Sequence, residues 1–200
     1  MKILAFTDIH DSFSALKKIE QKIKMKKPDI LVCTGDISIF ERGLVKIMRK
    51  MNQLGKKIVI INGNHEDEDS FAKHSKHFKN LIFIHKNHYV EGNVLFLGFG
   101  GGGFSLVDKG FEKFSPKFTK LITENPDKKV ILLTHAPPYK TNTDKIGNDY
   151  CGNKSIRNFV EKNRVDYLFC GHLHENFGKE DTIKKTKVIN PGPYGKIFII

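Results

Sequence analysis

Five short stretches of the chain collect side chains that bind metal ions: Asp8-Ile9-His10, Gly35-Asp36, Gly63-Asn64-His65-Glu66, Thr134-His135 and Gly171-His172-Leu173-His174. Carboxylate oxygen, imidazole nitrogen and amide oxygen are the donors preferred by divalent first-row transition metals. Any one of these stretches alone would mean little, since a lone histidine or aspartate is usually an ordinary surface or core residue. Five of them in one chain of 200 residues point to a polydentate pocket.

What must position them is visible just upstream. Each stretch follows a continuous apolar run of strand length, at residues 3–6, 30–33, 58–61, 130–133 and 167–170. Unbroken β-branched and aliphatic runs without polar alternation suit strands buried on two faces. Amphipathic stretches of helical period lie between them, at residues 13–25, 44–54 and 156–163. Strand, helix and strand in succession predict right-handed crossovers and helix-clad sheets, an α/β chain. Residues 81–97 and the tail from 187 to 200 read as short neighbouring strands joined by turns. In open α/β sheets ligands bind beyond the carboxyl ends of the strands, which is where all five stretches fall.

In order and spacing, Asp8-x-His10, Gly35-Asp36, Gly63-Asn64-His65-Glu66, His135 and Gly171-His172-x-His174 resemble the five motifs of the calcineurin-like metallophosphoesterase superfamily, over nearly the whole chain. The length is similar to that of its small single-domain prokaryotic phosphodiesterases. The resemblance implies one domain over residues 1–200, built as a four-layer αββα sandwich of two mixed β-sheets flanked by helices. It also implies that Asp8, His10 and His174 hold one metal, that Asn64, His135 and His172 hold a second, and that Asp36 bridges the two. His65 matches the family's non-ligand catalytic histidine beside the substrate. Asn190-Pro191-Gly192 resembles a late turn of the family, with Pro193 where a small hydroxyl residue is usual.

The residue types agree with that chemistry. Two divalent ions bring four positive charges; Asp8, Asp36 and a bridging hydroxide return three, so the cluster stays positive and attracts a phosphate ester. Metals about 3.5 to 4 Å apart share a hydroxide acidic enough to form near neutral pH. The donors do not choose among Mn²⁺, Ni²⁺, Fe, Zn²⁺ and Co²⁺, and manganese is the expected support in an assay. The expected function is therefore hydrolysis of small phosphodiesters, cyclic or other nucleotides among them, by the metal-bridging hydroxide, with His65 protonating the leaving group or hydrogen-bonding the transition state. The alternatives are a retromer-like scaffold without catalysis, against which the retained His65 argues, and a nuclease.

Other patterns carry less. Gly98-Phe99-Gly100-Gly101-Gly102-Gly103 formally matches a dinucleotide fingerprint, but no helix is evident after it, and it reads as a flexible loop near the same rim. His74, His77, His85 and His88 read as surface residues, and the acidic run Glu66 to Asp69 as a helix start.

Hydrophobic residues make up 39% of the chain and charged residues 28%, a globular composition without repeats or low-complexity tracts. The net charge of +12 raises nucleic acid as a partner, but it comes from scattered lysines; only Arg42, Arg49, Arg157 and Arg164 are arginines. Nucleic acid is therefore not favoured over a small phosphate ester. No apolar run approaches the roughly 20 residues that span a bilayer, and the start lacks the core of a signal peptide. Of three cysteines, Cys33 and Cys170 fall inside apolar runs, as fits reduced thiols. The expectation is a soluble, cytoplasmic protein with no membrane partner; the sequence leaves its oligomeric state open.

Overall fold

A computed structural model describes residues 1–200. The first three buried runs become strands β1 (Lys2–Phe6), β2 (Ile30–Cys33) and β3 (Ile58–Ile60), which join in parallel with β4 (Leu81–Phe83), and β13 (Lys196–Ile199) lies antiparallel on the outer side of β1. A second sheet has the order β11-β12-β10-β7-β6-β5, from β5 (Asn87–Glu91), β6 (Val94–Phe99), β7 (Lys129–Thr134), β10 (Tyr167–Phe169), β11 (Glu180–Ile183) and β12 (Thr186–Ile189). Its four central strands are parallel and its two edges antiparallel, so both sheets are mixed. A small hairpin, β8 (Lys145–Ile146) with β9 (Asp149–Tyr150), projects from the loop after β7.

The period of two along each strand sorts the core into layers. Ile3, Ala5, Val32 and Val59 of the first sheet meet Phe96, Ile131, Leu133 and Phe169 of the second, forming the layer between the sheets. The alternate residues Leu4, Phe6, Leu31 and Ile60 face helices α1 (Phe13–Lys26), α2 (Leu44–Asn52) and α3 (Glu68–Ser75). On the far side Leu95, Leu97, Val130, Leu132 and Leu168 face α4 (Lys109–Glu124) and α5 (Lys154–Lys162). Helices, sheet, sheet, helices is the four-layer αββα order. It explains why the strand sequences are apolar at every position: one face meets helices and the other meets a sheet.

Side chains start four of the helices. Ser12, Asp67, Asp108 and Asn153 each accept a hydrogen bond from the backbone N–H three residues on. Helix α4 has no counterpart in the periodicity reading, because Gly110 and Pro116 interrupt it. Pro116 has no N–H to offer the carbonyl of Glu112, and the Ser115 hydroxyl donates to that carbonyl instead, at 3.2 Å. The neighbouring strands expected over residues 81–97 divide between the sheets: β4 ends the first, while β5 and β6 form an edge hairpin of the second.

Candidate metal centre

The parallel strands of each sheet point their carboxyl ends the same way, and the two sheets bring those ends together along one edge. His135, after β7, donates from Nδ1 to the carbonyl of Thr34, after β2, at 2.8 Å. Gly171, after β10, comes so close to Thr7 and Asp8, after β1, that a Cβ there would strike the Thr7 hydroxyl and an Asp8 oxygen. The seam between the sheets is therefore where the five stretches meet.

Asp8, His10 and His174 converge on one point. His10 Nε2 lies 3.2 Å from His174 Nε2, and the two nitrogens lie 3.9 and 3.7 Å from Asp8 Oδ1. A second convergence holds Asn64 and His135, with Nε2 of His135 2.9 Å from Asn64 Oδ1 and 3.3 Å from Asp36 Oδ2. The His172 ring packs 5.3 Å from that of His135. Asp36 stands between, its Oδ2 also 3.8 Å from His10 Nε2 and 3.8 Å from His65 Nε2. All seven residues expected to hold metal, and His65 with them, come together.

Backbone geometry carries part of the cost. Asp8, His10, Asp36 and His172 all have positive φ, between 41° and 69°. For residues other than glycine this region costs of order 1–3 kcal/mol each and persists where the surroundings impose it. Here they do: the Asp8 N–H donates to Gly35 O, the His10 N–H to Asp36 O, and the His172 N–H to the Asp8 carboxylate.

A buried carboxylate fixes the loops after β2 and β3. Glu66 accepts hydrogen bonds from the backbone N–H groups of Asp36, Ser38 and Gly63 and from the Ser38 hydroxyl. Burial, and then the charge of Asp36, pushes its pKa up. Glu66 is thus an internal brace and no part of the helix start, which belongs to Asp67 as cap with Glu68 and Asp69 in the first turn. Gly63 packs directly on Asp36, and a Cβ there would collide with the Asp36 carboxylate and backbone nitrogen. Gly63→Ala is expected to lower stability by about 3 kcal/mol and to displace Asp36, measured as a shift of the denaturant midpoint together with loss of bound metal.

The electrostatics favour a cation. Burial alone would lower the pKa of His135, but its hydrogen bond to Asp36 and the charges of Asp36 and Asp8 raise it to about 9. Against its own burial, the same pairing holds the Asp36 carboxyl down at about 2. Burial, then the charge of His135, depresses His172 to about 4, so its ring is neutral at pH 7. Nε2 of His172 is buried and has no hydrogen-bond partner in the protein. A buried ring nitrogen left without a partner near two carboxylates fits a divalent ion, which takes neutral imidazole and displaces any proton from it. His10 and His135 are set for this, because each gives its Nδ1–H to a backbone carbonyl, of Ser38 and Thr34, and turns Nε2 inward.

His65 is set the other way. Its Nδ1 accepts the backbone N–H of Phe40 at 3.3 Å, so the neutral ring carries its proton on Nε2, the nitrogen facing Asp36. Phe40 lies against the ring, centroids 4.3 Å apart. Of the remaining histidines, His77 and His88 are exposed and His74 half-buried, but His85 departs from the surface reading. Its side chain is only 4% exposed, with Nε2 3.0 Å from Glu68 Oε2 and Nδ1 accepting the Gly100 N–H. His85 anchors the glycine loop, a role for which its sequence neighbours gave no pattern. That loop runs along the rim and sets Phe104 on His172.

The sequence profile of the calcineurin-like phosphoesterases matches residues 1–176. The chain is 30% identical over 204 aligned positions to MJ1162 of Methanocaldococcus jannaschii, a protein described only as uncharacterised; the match covers 96% of this chain and 88% of that one. It is 24% identical over 164 positions to a probable glycerophosphodiester phosphodiesterase, GpdQ, of Arcobacter nitrofigilis, covering 74% of this chain and 57% of the relative. A dimetal phosphatase from Danio rerio has the same fold, with a TM-score of 0.66 at 12% identity over 94% of this chain and 86% of its own. On the profile match and the matching layers, the chain belongs to the calcineurin-like phosphoesterase family.

Proposed function

We propose that the protein is a dinuclear-metal phosphodiesterase acting on small phosphodiesters. The observation that carries this reading is the opposite setting of the histidines: His10 and His135 commit Nδ1–H to backbone carbonyls and turn Nε2 inward for a cation, whereas His65 accepts at Nδ1 and turns Nε2–H inward. Asp8, His10 and His174 would hold one divalent ion and Asn64, His135 and His172 the other, with Asp36 shared. When bound, such a pair supplies Lewis acidity toward the phosphoryl oxygens and lowers the pKa of water enough to provide a nucleophile. Manganese is the ion proposed for assay, and the cytoplasm the proposed location.

The chain's own residues do the rest. The Asp36 carboxylate is oriented by the backbone N–H of His65, which donates to Oδ1 at 2.9 Å and leaves Oδ2 toward the centre. As water oxygen bonds to phosphorus and the bond to the ester oxygen breaks, the Nε2–H of His65 would donate a hydrogen bond to that leaving oxygen and stabilise the negative charge developing on it. The Phe40 N–H and ring keep the imidazole in the tautomer that allows this. The cleft over the cluster is about 290 Å³, the size of a small ligand. No helix of the structure is long and apolar enough to cross a membrane.

The experiment compares bis(p-nitrophenyl) phosphate, p-nitrophenyl phosphate and a single-stranded oligonucleotide, after chelator treatment and after adding back Mn²⁺, Zn²⁺, Co²⁺, Ni²⁺ or Fe²⁺. Turnover is expected to vanish with chelator, return with Mn²⁺ and favour the small diester. No hydrolysis with any ion makes the protein a scaffold, and preference for the oligonucleotide makes it a nuclease.

A further inference from the structure

Resting on the phosphodiesterase reading, we propose that Phe104 is a stacking platform that selects phosphodiesters whose retained ester group, the one that stays on phosphorus, carries a planar aromatic ring, a nucleobase in natural compounds. The cleft has two kinds of wall. Asp36, Asn64, His65, His172, His174 and Glu175 are its polar lining, where the phosphate would sit by the ring and amide groups; Phe104, Ile146 and Leu173 are its apolar lining. The Phe104 ring stands edge to face on His172, centroids 4.6 Å apart at 61°, yet it remains 68% exposed. The two residues after Ser105 are also exposed and apolar, Leu106 and Val107. Single exposed apolar residues are common, but this ring is placed within reach of any ester group on a phosphate held by His172.

The loop that carries the ring is fastened at its ends and free in the middle. Upstream, Gly100 donates to His85 Nδ1 at 2.7 Å and Gly101 to Asn62 O at 3.0 Å. Downstream, Ser105 O accepts from Asn153 Nδ2 at 2.9 Å, and Leu106 O accepts the Lys154 N–H at 2.8 Å. Gly102, Gly103 and Phe104 make no hydrogen bond of their own. Gly102 has φ of 82°, and nothing lies within 4 Å of where a Cβ on Gly103 would be. Two glycines before an exposed aromatic ring let it turn its face to a ligand without breaking a hydrogen bond. A planar group fits because its stacking is tolerant of chemical detail, and the bound phosphate holds it at the same distance from the ring each time.

The test pairs two diesters with the same leaving group, thymidine 5′-(p-nitrophenyl phosphate) and methyl p-nitrophenyl phosphate, in wild type, Phe104→Ala and Phe104→Trp, each with Mn²⁺. Phe104→Ala is expected to lower kcat/KM for the thymidine ester by about 5- to 100-fold and to leave the methyl ester within about 3-fold; Phe104→Trp keeps the preference. The exposed position predicts an unchanged thermal midpoint in both variants. Equal loss on both esters, or none on either, overturns the proposal. Should wild type hydrolyse neither ester, the phosphodiesterase reading falls, and calorimetry of AMP against ribose 5-phosphate decides the platform separately. Tighter AMP binding that Phe104→Ala abolishes supports it; equal binding of the two ligands overturns it.

Discussion

Exchange of Asp36 for asparagine is expected to leave a folded protein that keeps one equivalent of divalent ion or less and loses phosphodiester turnover by about three orders of magnitude. Asparagine has the shape of aspartate, and its amide oxygen can still accept the His65 N–H that now reaches Oδ1. What disappears is the negative charge at Oδ2, which lies within 4 Å of ring nitrogens of His10, His65 and His135 at once. Asp8 also lies near both convergences, but only Asp36 comes within 4 Å of ring nitrogens in each of them. Changes merely beside a metal ligand cost about 10- to 100-fold in affinity or activity, and loss of the shared ligand should exceed that. Metal analysis of the purified variant, alongside kcat, checks the expectation. Two retained equivalents with wild-type turnover would remove Asp36 from the bridging position.

His65→Ala should separate chemistry from metal binding. The variant is expected to bind the same metal as wild type, since the contact of residue 65 with Asp36 Oδ1 runs through its backbone nitrogen, which alanine preserves. Turnover of an alkyl diester should fall about 10²- to 10³-fold, the range for loss of one positioned hydrogen-bond donor to a developing oxyanion. The p-nitrophenyl diester should fall much less, because nitrophenolate leaves without needing a proton. A structural role for His65 would depress both substrates alike, so the ratio between leaving groups is the decisive reading. Uniform loss would sink the assignment of His65 to the leaving group.

Most of the centre could be read in the sequence because each donor sits directly after a strand that must be buried. The apolar runs ending at Phe6, Cys33 and Cys170 announce their strands, and parallel pairing then forces their carboxyl ends to one side. What escaped had no local pattern. Helix α4 is broken up by Gly110 and Pro116, and its apolar face shows only through Phe111, Phe118 and Ile122. β11 is a polar edge strand, EDTI, whose residues alternate with no apolar face to betray it. Glu66 looks like one acid among four, and only folding reveals that three backbone N–H groups from two loops close around it. His85 is similar, because its burial depends on the loop that passes over it from Gly100. The sequence is legible where function rides on a regular element and opaque where distant loops lock each other.

The donors are shared between the two sheets: Asp8, His10, Asp36 and Asn64 follow strands of the first, His135, His172 and His174 strands of the second. Any ion held there is a rivet through the seam, resisting the sliding of one slab over the other. Its affinity would then be written into the resistance of the whole molecule to heat.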